Sequence, residues 1–315
     1  MHDVLHASGV FVHHLAAVQW TALAIAIGCH LLKLAAVSRA WRNAIAAAYP
    51  GTRVSWPRLA AAWVAGTGVN AIVPARGGDA VKLVLGKRWV RGSSYATLGA
   101  TIVLLSLFDM VFAGSLLAWA IAAGVLPGLD VLPNLPSLDF GWFFRHPRLG
   151  GAIVGATVLL LAVLLVWTGR KVEEFWGRVR QGFSVLRDPL RYLRTVAFWQ
   201  ALDWCLRIAT IYWLLRAFGL PATAHNAFLV QVSQSVAGAF PLSPSGIGTT
   251  EALLLYVLRG TASRTVLLSF SVGMRITLIV VNATLGFAII LAAFRTLSWR
   301  RRVEADRTAA ESGPG

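Results

Sequence analysis

Hydrophobic and polar positions alternate along this chain in long blocks rather than with a short period. Apolar runs long enough to cross a bilayer occupy roughly residues 16–37, 94–125, 150–168, 192–216 and 265–294, and each reads as a transmembrane helix. Two further runs, 59–73 and 226–240, stop after about fifteen residues at proline-glycine breaks, "IVPARGGD" and "AFPLSPSGIGTTE". A second short helical stretch follows each break. Two half-length helices around a break form either one kinked span or a re-entrant hairpin.

Charge chooses between these alternatives. The loop 38–58 carries Arg39, Arg42, Arg53 and Arg58 and no acid, which places it in the cytoplasm and the N-terminus outside. A single crossing over 59–90 would put Lys87, Arg88 and Arg91 outside, whereas a hairpin keeps them in. The span 150–168 returns to "RKVEEFWGRVRQGFSVLRDPLRYLR", whose seven basic residues against three acids read as a cytoplasmic amphipathic surface helix. A second hairpin, entering from outside, lets the last span deliver "RTLSWRRRVEADR" to the cytoplasm. Its cost is that Arg259 and Arg264 emerge outside.

The order span, hairpin, span in a first repeat (about 16–125) then recurs with opposite orientation in a second (about 192–294). Residues 150–168 connect them, and 296–315 form a basic cytoplasmic tail, disordered at its end. The expected fold is all-α: a polytopic integral membrane protein of about five full spans plus two re-entrant helical hairpins in an inverted repeat. Broken helices meeting near the midplane are the architecture of secondary transporters and lipid carriers.

Composition agrees: 57% of the residues are hydrophobic and 13% charged, which excludes an ordinary soluble domain. The N-terminal "MHDVLHASGVFVHHLAAVQW" lacks the basic start of a signal peptide and reads as part of a retained helix. The net charge of +16 lies in short loops, where it reports orientation rather than nucleic-acid binding. Cys29 and Cys205 lie in apolar segments without a CxxC partner, so neither a disulfide framework nor a metal site is implied. No nucleophile-base pair, metal-ligand cluster or phosphate loop is present; "RGGDAVKL" lacks the GK[ST] ending. Neither catalysis nor a cofactor is expected.

Ionisable residues inside spans are expensive and usually paired or functional. Asp203 and Arg207 share one helical face and form an internal pair or line a route. Asp109 and Arg275 either pair with each other or line a cavity. Lys33, near the cytoplasmic end of the first span, is expected to snorkel, and His30 is a hydrogen-bonded core residue or a proton carrier. Asp79 and Glu251 each open a helix after a break, where an acid caps free amides or lines a headgroup route. Arg76 is the candidate for a phosphate, because a guanidinium binds a phosphodiester bidentately.

The paired motifs N-x-x-x-P-x-R-x-G-D, Asn70 to Asp79, and P-x-x-P-x-G-I-G-x-x-E, Pro241 to Glu251, resemble the transmembrane region of lysylphosphatidylglycerol synthases and their stand-alone, flippase-like relatives. The resemblance covers about 20–295, with Asn70, Pro74, Arg76, Gly78, Asp79, Pro241, Pro244, Gly246, Gly248 and Glu251 at the matching positions. It implies an inner-membrane protein handling lipids or lipid-linked saccharides, with relatives in aminoacyl-phospholipid and hopanoid pathways. About twenty residues follow the last span, so the soluble transferase domain of the synthases is not expected. The expected function is translocation or presentation of an anionic amphipathic lipid across the cytoplasmic membrane. The alternative is a non-catalytic or intramembrane-catalytic subunit of a glycolipid, hopanoid or aminoacyl-phospholipid biosynthesis complex, with a biosynthetic enzyme as partner. Candidate substrate-binding residues are Asn70, Arg76, Gly78, Asp79, Gly246, Gly248 and Glu251 at the breaks, with Asp109, Asp203, Arg207 and Arg275 in the spans.

The topology is testable by thiol labelling of single-cysteine variants lacking Cys29 and Cys205. Arg42→Cys, Lys87→Cys, Arg180→Cys and Arg301→Cys are expected to resist impermeant reagents in intact cells, and Ser137→Cys to react. Labelling of the Lys87 position from outside would remove the first hairpin.

Overall fold

The computed structural model describes residues 18–73, 77–122, 169–239 and 248–311, and these are helical without strands. The span expected over 150–168, and Pro74, Arg76, Pro241, Pro244 and Gly246 of the motifs, lie outside the described residues.

In chain order the helices are α1 (Trp20–Ala48), α2 (Trp56–Ile72), α3 (Gly77–Trp89), α4 (Tyr95–Ala122), α5 (Gly169–Gly182), the single turn α6 (Pro189–Tyr192), α7 (Phe198–Ala217), α8 (Ala224–Ala239), α9 (Thr249–Val257) and α10 (Arg264–Glu311). Local chemistry sets their ends. Pro57 sits in the first turn of α2, where its missing amide proton costs nothing. The helix then stops two residues short of Pro74, consistent with the bias against helical backbone before a proline. Asp79 lies in the first turn of α3 and Lys87 and Arg88 in its last, matching the helix dipole at both ends. α7 closes in a Schellman motif: Leu220 N donates to Leu215 O (2.9 Å) and Gly219 N to Arg216 O (3.1 Å). Gly219 takes the left-handed φ of 71° that this motif requires.

Two helices outrun the apolar segments that predicted them. α1 continues past residue 37 through Arg39 and Arg42, and α10 continues through the basic tail to Glu311. The apolar run measures the hydrocarbon crossing, whereas the hydrogen-bond ladder continues beyond it into the polar layer. Among the described residues three helices are long and apolar enough to cross a membrane: Trp20–Ala48, Tyr95–Ala120 and Arg264–Ala293. α7, also expected to span, has 20 residues but holds Gln200, Asp203, Arg207 and Thr210. The surface of the three long helices carries exposed Ile25, Leu32, Val103, Met110, Val111, Ile276, Val280 and Leu291. So much contiguous apolar surface suits hydrocarbon as solvent, not water.

Two cores hold the bundle. Trp41, Ile45, Leu59, Leu98, Leu104 and Val196 join α1, α2, α4 and the approach to α7. Ile211, Leu214, Leu229, Leu254, Leu258 and Phe270 join α7, α8, α9 and α10. Between the cores, α1 lies along α7 and α2 along α10, while α4 packs on α8. α5 is the amphipathic helix the sequence predicts. It docks by donating Gln181 Nε2 to Ala48 O (2.9 Å), and leaves Phe175 and Trp176 exposed.

The α2–α10 crossing depends on glycine. A Cβ at Gly68 would lie 2.5 Å from Asn282 O and 2.7 Å from Gly286 Cα, so the backbones meet where no side chain fits. Gly68→Ala is therefore expected to destabilise the detergent-purified protein by about 1–3 kcal/mol, read as a lowered thermal midpoint. Gly99→Ala, where nothing lies within 4 Å, should leave the midpoint unchanged or slightly raised.

Candidate functional site

The predicted site residues fall into three groups. The first lies at the α2–α3 break. Asn70 Oδ1 accepts from Gly78 N (2.7 Å), and Asn70 Nδ2 donates to Asp79 Oδ1 (3.3 Å). Asp79 also pairs with Lys82 Nζ (2.8 Å), which sits 4.1 Å from the centroid of the Trp63 ring. A Cβ on Gly78 would collide with Gly66 O. The spacing of the motif now has a physical cause: Asn70 caps the amide of Gly78, eight residues later in the first turn of α3, and glycine lets the two half-helices touch. Arg76, the phosphate candidate, lies outside the described residues.

The second group opens α9. Gly248 has φ 86°, and its amide donates to Glu251 Oε2 (2.6 Å), so Glu251 caps its own helix. Its other oxygen, Oε1, pairs with Arg275 Nη2 at 3.3 Å. Arg275 is thereby committed to Glu251, and the alternative pairing with Asp109 is not formed. Gly246 lies outside the described residues.

The third group surrounds a cavity of about 860 Å³ between α1, α4, α7, α8 and α10. Arg207 Nη2 binds Asp203 Oδ2 at 2.6 Å and lies 3.9 Å from Asp109 Oδ1. The expected i,i+4 pair on α7 is formed, with Asp203 only 1% exposed. Trp204 completes the cluster: its Nε1 donates to Asp109 Oδ1 (2.9 Å), and its ring lies 4.4 Å beneath the Arg207 guanidinium. Asp109 and Arg207 line the cavity, and Asp203 stands behind them.

Several lining residues were not candidates from the sequence. Lys33, expected to snorkel, instead lines the cavity, and among the described residues it makes no ion pair or hydrogen bond. The rotation of α1 against α7 turns it inward, which its position in the run does not reveal. His30, one turn earlier, donates Nε2 to Asn282 Oδ1 of α10 (2.8 Å). From α8 come Gln231, Gln234 and Ser235. Their spacing of three and four places them on one helical face, a signal present in the sequence. Among the described residues Gln231 Oε1 is buried with no protein partner, although its Nε2 donates to Ser235 Oγ (3.2 Å). On α4 the lining positions Ser106, Asp109, Met110, Ala113, Gly114 and Leu117 form one helical stripe.

The cavity thus offers a cation without an ion-pair partner among the described residues, a guanidinium held by two carboxylates, and a row of amides and hydroxyls. It is bordered by Met110, 64% exposed, with Val111 beside it at 67%, so its polar interior adjoins a surface suited to lipid. Such a site can hold a charged, hydrogen-bonding headgroup while acyl chains stay in the bilayer. Among the described residues there is no cluster of His, Cys, Asp or Glu arranged to hold a metal.

Comparison with known proteins supplies relatives. The family described as "Lysylphosphatidylglycerol synthase TM region" matches residues 9–286. A UPF0104 membrane protein of Methanocaldococcus jannaschii is 23% identical over 203 residues, covering 61% of this chain and 79% of the relative.

The ion pair on α7 generates a stability test. Arg207→Ala leaves the buried Asp203 carboxylate unpaired, and the expected loss is about 3–5 kcal/mol, read from thermal unfolding in detergent. The double variant Asp203→Asn with Arg207→Gln removes both charges and should recover most of that loss. If the single and double variants unfold alike, the pair does not carry the stability assigned to it.

Proposed function

The chain belongs to the lysylphosphatidylglycerol synthase transmembrane-region family, and from that premise we propose that it translocates an anionic amphipathic lipid across the cytoplasmic membrane through the central cavity. The observation that carries this reading is Lys33, without an ion-pair partner among the described residues, beside Arg207 in a polar cavity that borders the exposed Met110. A phosphate moving through hydrocarbon alone meets a desolvation barrier of many kcal/mol. A fixed cation and a row of amides at mid-bundle lower that barrier, and the tails travel outside along α4. Lys33 engages the phosphate, while Gln231, Gln234 and Ser235 take hydroxyl or sugar groups.

The packing supports an inverted repeat. With α1, α2, α3, α4 matched to α7, α8, α9, α10, contacts recur in pairs: α1–α2 with α7–α8, α2–α3 with α8–α9, α3–α4 with α9–α10, and α2–α10 with α8–α4. The longest contact, α1 with α7, is its own mate. α2, α3, α8 and α9 have 17, 13, 16 and 9 residues, all short of the ~20 a full crossing needs, as hairpin arms would be. On this reading the N-terminus is outside and the C-terminus cytoplasmic.

One departure from the symmetry supports α4 as the moving element of the proposed cycle. α4 packs on α1 near Trp41, which donates Nε1 to Thr101 Oγ1 (3.0 Å), whereas α10 makes no comparable contact with α7. At its other end α4 meets α8 through Trp119, 6.0 Å from His225 and 6.1 Å from Phe228 between ring centroids. The cavity lies between these two closures. Alternating release of one or the other gives a route from each side of the membrane.

The test is leaflet exchange of labelled phosphatidylglycerol in liposomes containing the purified protein. Lys33→Ala is expected to slow exchange about tenfold or more, the worth of one charge-assisted contact, with Lys33→Arg retaining most of the rate. Arg76→Ala is expected to slow it as well, through the break that leads into α3. Wild-type protein that leaves exchange at the rate of empty liposomes would sink the proposal. A wild-type rate in Lys33→Ala would move the headgroup route elsewhere.

A further inference from the structure

Beyond the cavity, α1 carries a second cationic cluster that the passage of lipid does not use. Arg39 lies just past the apolar run 16–37, on a helix that continues to Ala48, the position at which a crossing helix leaves hydrocarbon for the polar layer. Its guanidinium carbon is 5.3 Å from the centroid of Trp56, at the start of α2, and 6.0 Å from that of Trp199 in α7. Among the described residues it makes no hydrogen bond and no ion pair.

The frame around it is fixed. Trp56 Nε1 donates to Ser38 Oγ (3.2 Å), and Asn43 Nδ2 donates to Thr195 O (2.6 Å), tying α1 to the approach to α7. Arg42, one turn beyond Arg39 on the same face, donates Nε to Val54 O (3.1 Å) and Nη1 to Asn43 Oδ1 (3.1 Å). Those bonds hold a second positive charge beside the first, and the segment 38–58 contains no acid to neutralise either. Asp188, the acid nearest in sequence to the α7 approach, is used as a cap, accepting from Arg191 N (3.0 Å). Like charges held together in this way favour an anion between them. Aromatic stacking occupies the faces of a guanidinium and leaves its N–H edge free, the geometry that takes a phosphodiester through two parallel bonds. Indole rings at the same depth suit the polar boundary of a bilayer.

We propose that Arg39, framed by Trp56 and Trp199 and assisted by Arg42, is a binding site for the phosphodiester of an anionic glycerophospholipid at the membrane surface, separate from the cavity. The site retains a boundary lipid and does not depend on whether lipid crosses through the bundle.

Native mass spectrometry of the full chain, released from detergent with phosphatidylglycerol or phosphatidylcholine added, reads the site directly. Wild-type protein is expected to retain phosphatidylglycerol in preference to phosphatidylcholine. Arg39→Gln, which keeps a planar group between the indoles, should lower phosphatidylglycerol retention about tenfold and leave phosphatidylcholine retention unchanged. Arg39→Lys keeps the charge without the fork and should fall between the two, so it carries the test if the glutamine variant folds poorly. Equal retention of the two lipids by wild type, or wild-type retention in both variants, would overturn the proposal. Release of the bound lipid by excess inorganic phosphate would assign the site to a free anion instead of a lipid.

Discussion

Hydrocarbon contains no water, so every backbone group freed by a helix break and every charge within the bundle must find its partner in the protein. This constraint organises the chain at both breaks and in α7. At the first break Asn70 accepts the Gly78 amide and donates to Asp79. At the second, Glu251 accepts the Gly248 amide and binds Arg275. In α7, Arg207 binds Asp203, one turn away. Each partner lies close along the chain or on the adjoining helix, and among the described residues these bonds engage the motif side chains of Asn70, Asp79 and Glu251.

Lys33 and Gln231 Oε1 stand apart from that pattern. Both line the cavity, and neither the lysine nor the amide oxygen has a protein partner among the described residues. A polar group left without a partner in a folded membrane protein costs stability, and the headgroup of the proposed lipid would meet both. The motif residues and the cavity residues divide the work. At each motif the described amide that opens the second helix of the pair, Gly78 or Gly248, is capped by a side chain, and the cavity is lined by side chains from α1, α4, α7, α8 and α10.

Close helix approach makes this arrangement possible. Gly66 and Gly78 bring the arms of the first pair together, and Gly68 with Gly286 brings α2 onto α10. With no hydrophobic force between helices in lipid, such contacts are held by dispersion and by the hydrogen bonds that close packing allows. The His30–Asn282 bond lies at this junction, where Asn282 also presents its carbonyl to Gly68. A methyl group at Gly68 would therefore disturb the crossing and the cavity wall together.

The sequence by itself determined what local periodicity and charge can carry. The membrane character, three of the five expected spans, the helix breaks after Ile72 and before Thr249, the Glu251 cap and the Asp203–Arg207 pair all follow from spacings of a few residues, because an α-helix repeats every 3.6 residues, whereas Asp79, expected to cap free amides, is bound by Asn70 and Lys82 instead. It also held an overlooked stripe, Gln231, Gln234 and Ser235, on one face of α8. Tertiary structure alone decided the rest. It chose Arg207 and Trp204 as the neighbours of Asp109, gave Arg275 to Glu251, and turned Lys33 into the cavity. Those outcomes depend on how each helix is rotated and where it crosses its neighbours, and contacts between residues far apart in the chain set both. A run of apolar residues states that a helix sits in lipid but leaves open which of its faces meets protein.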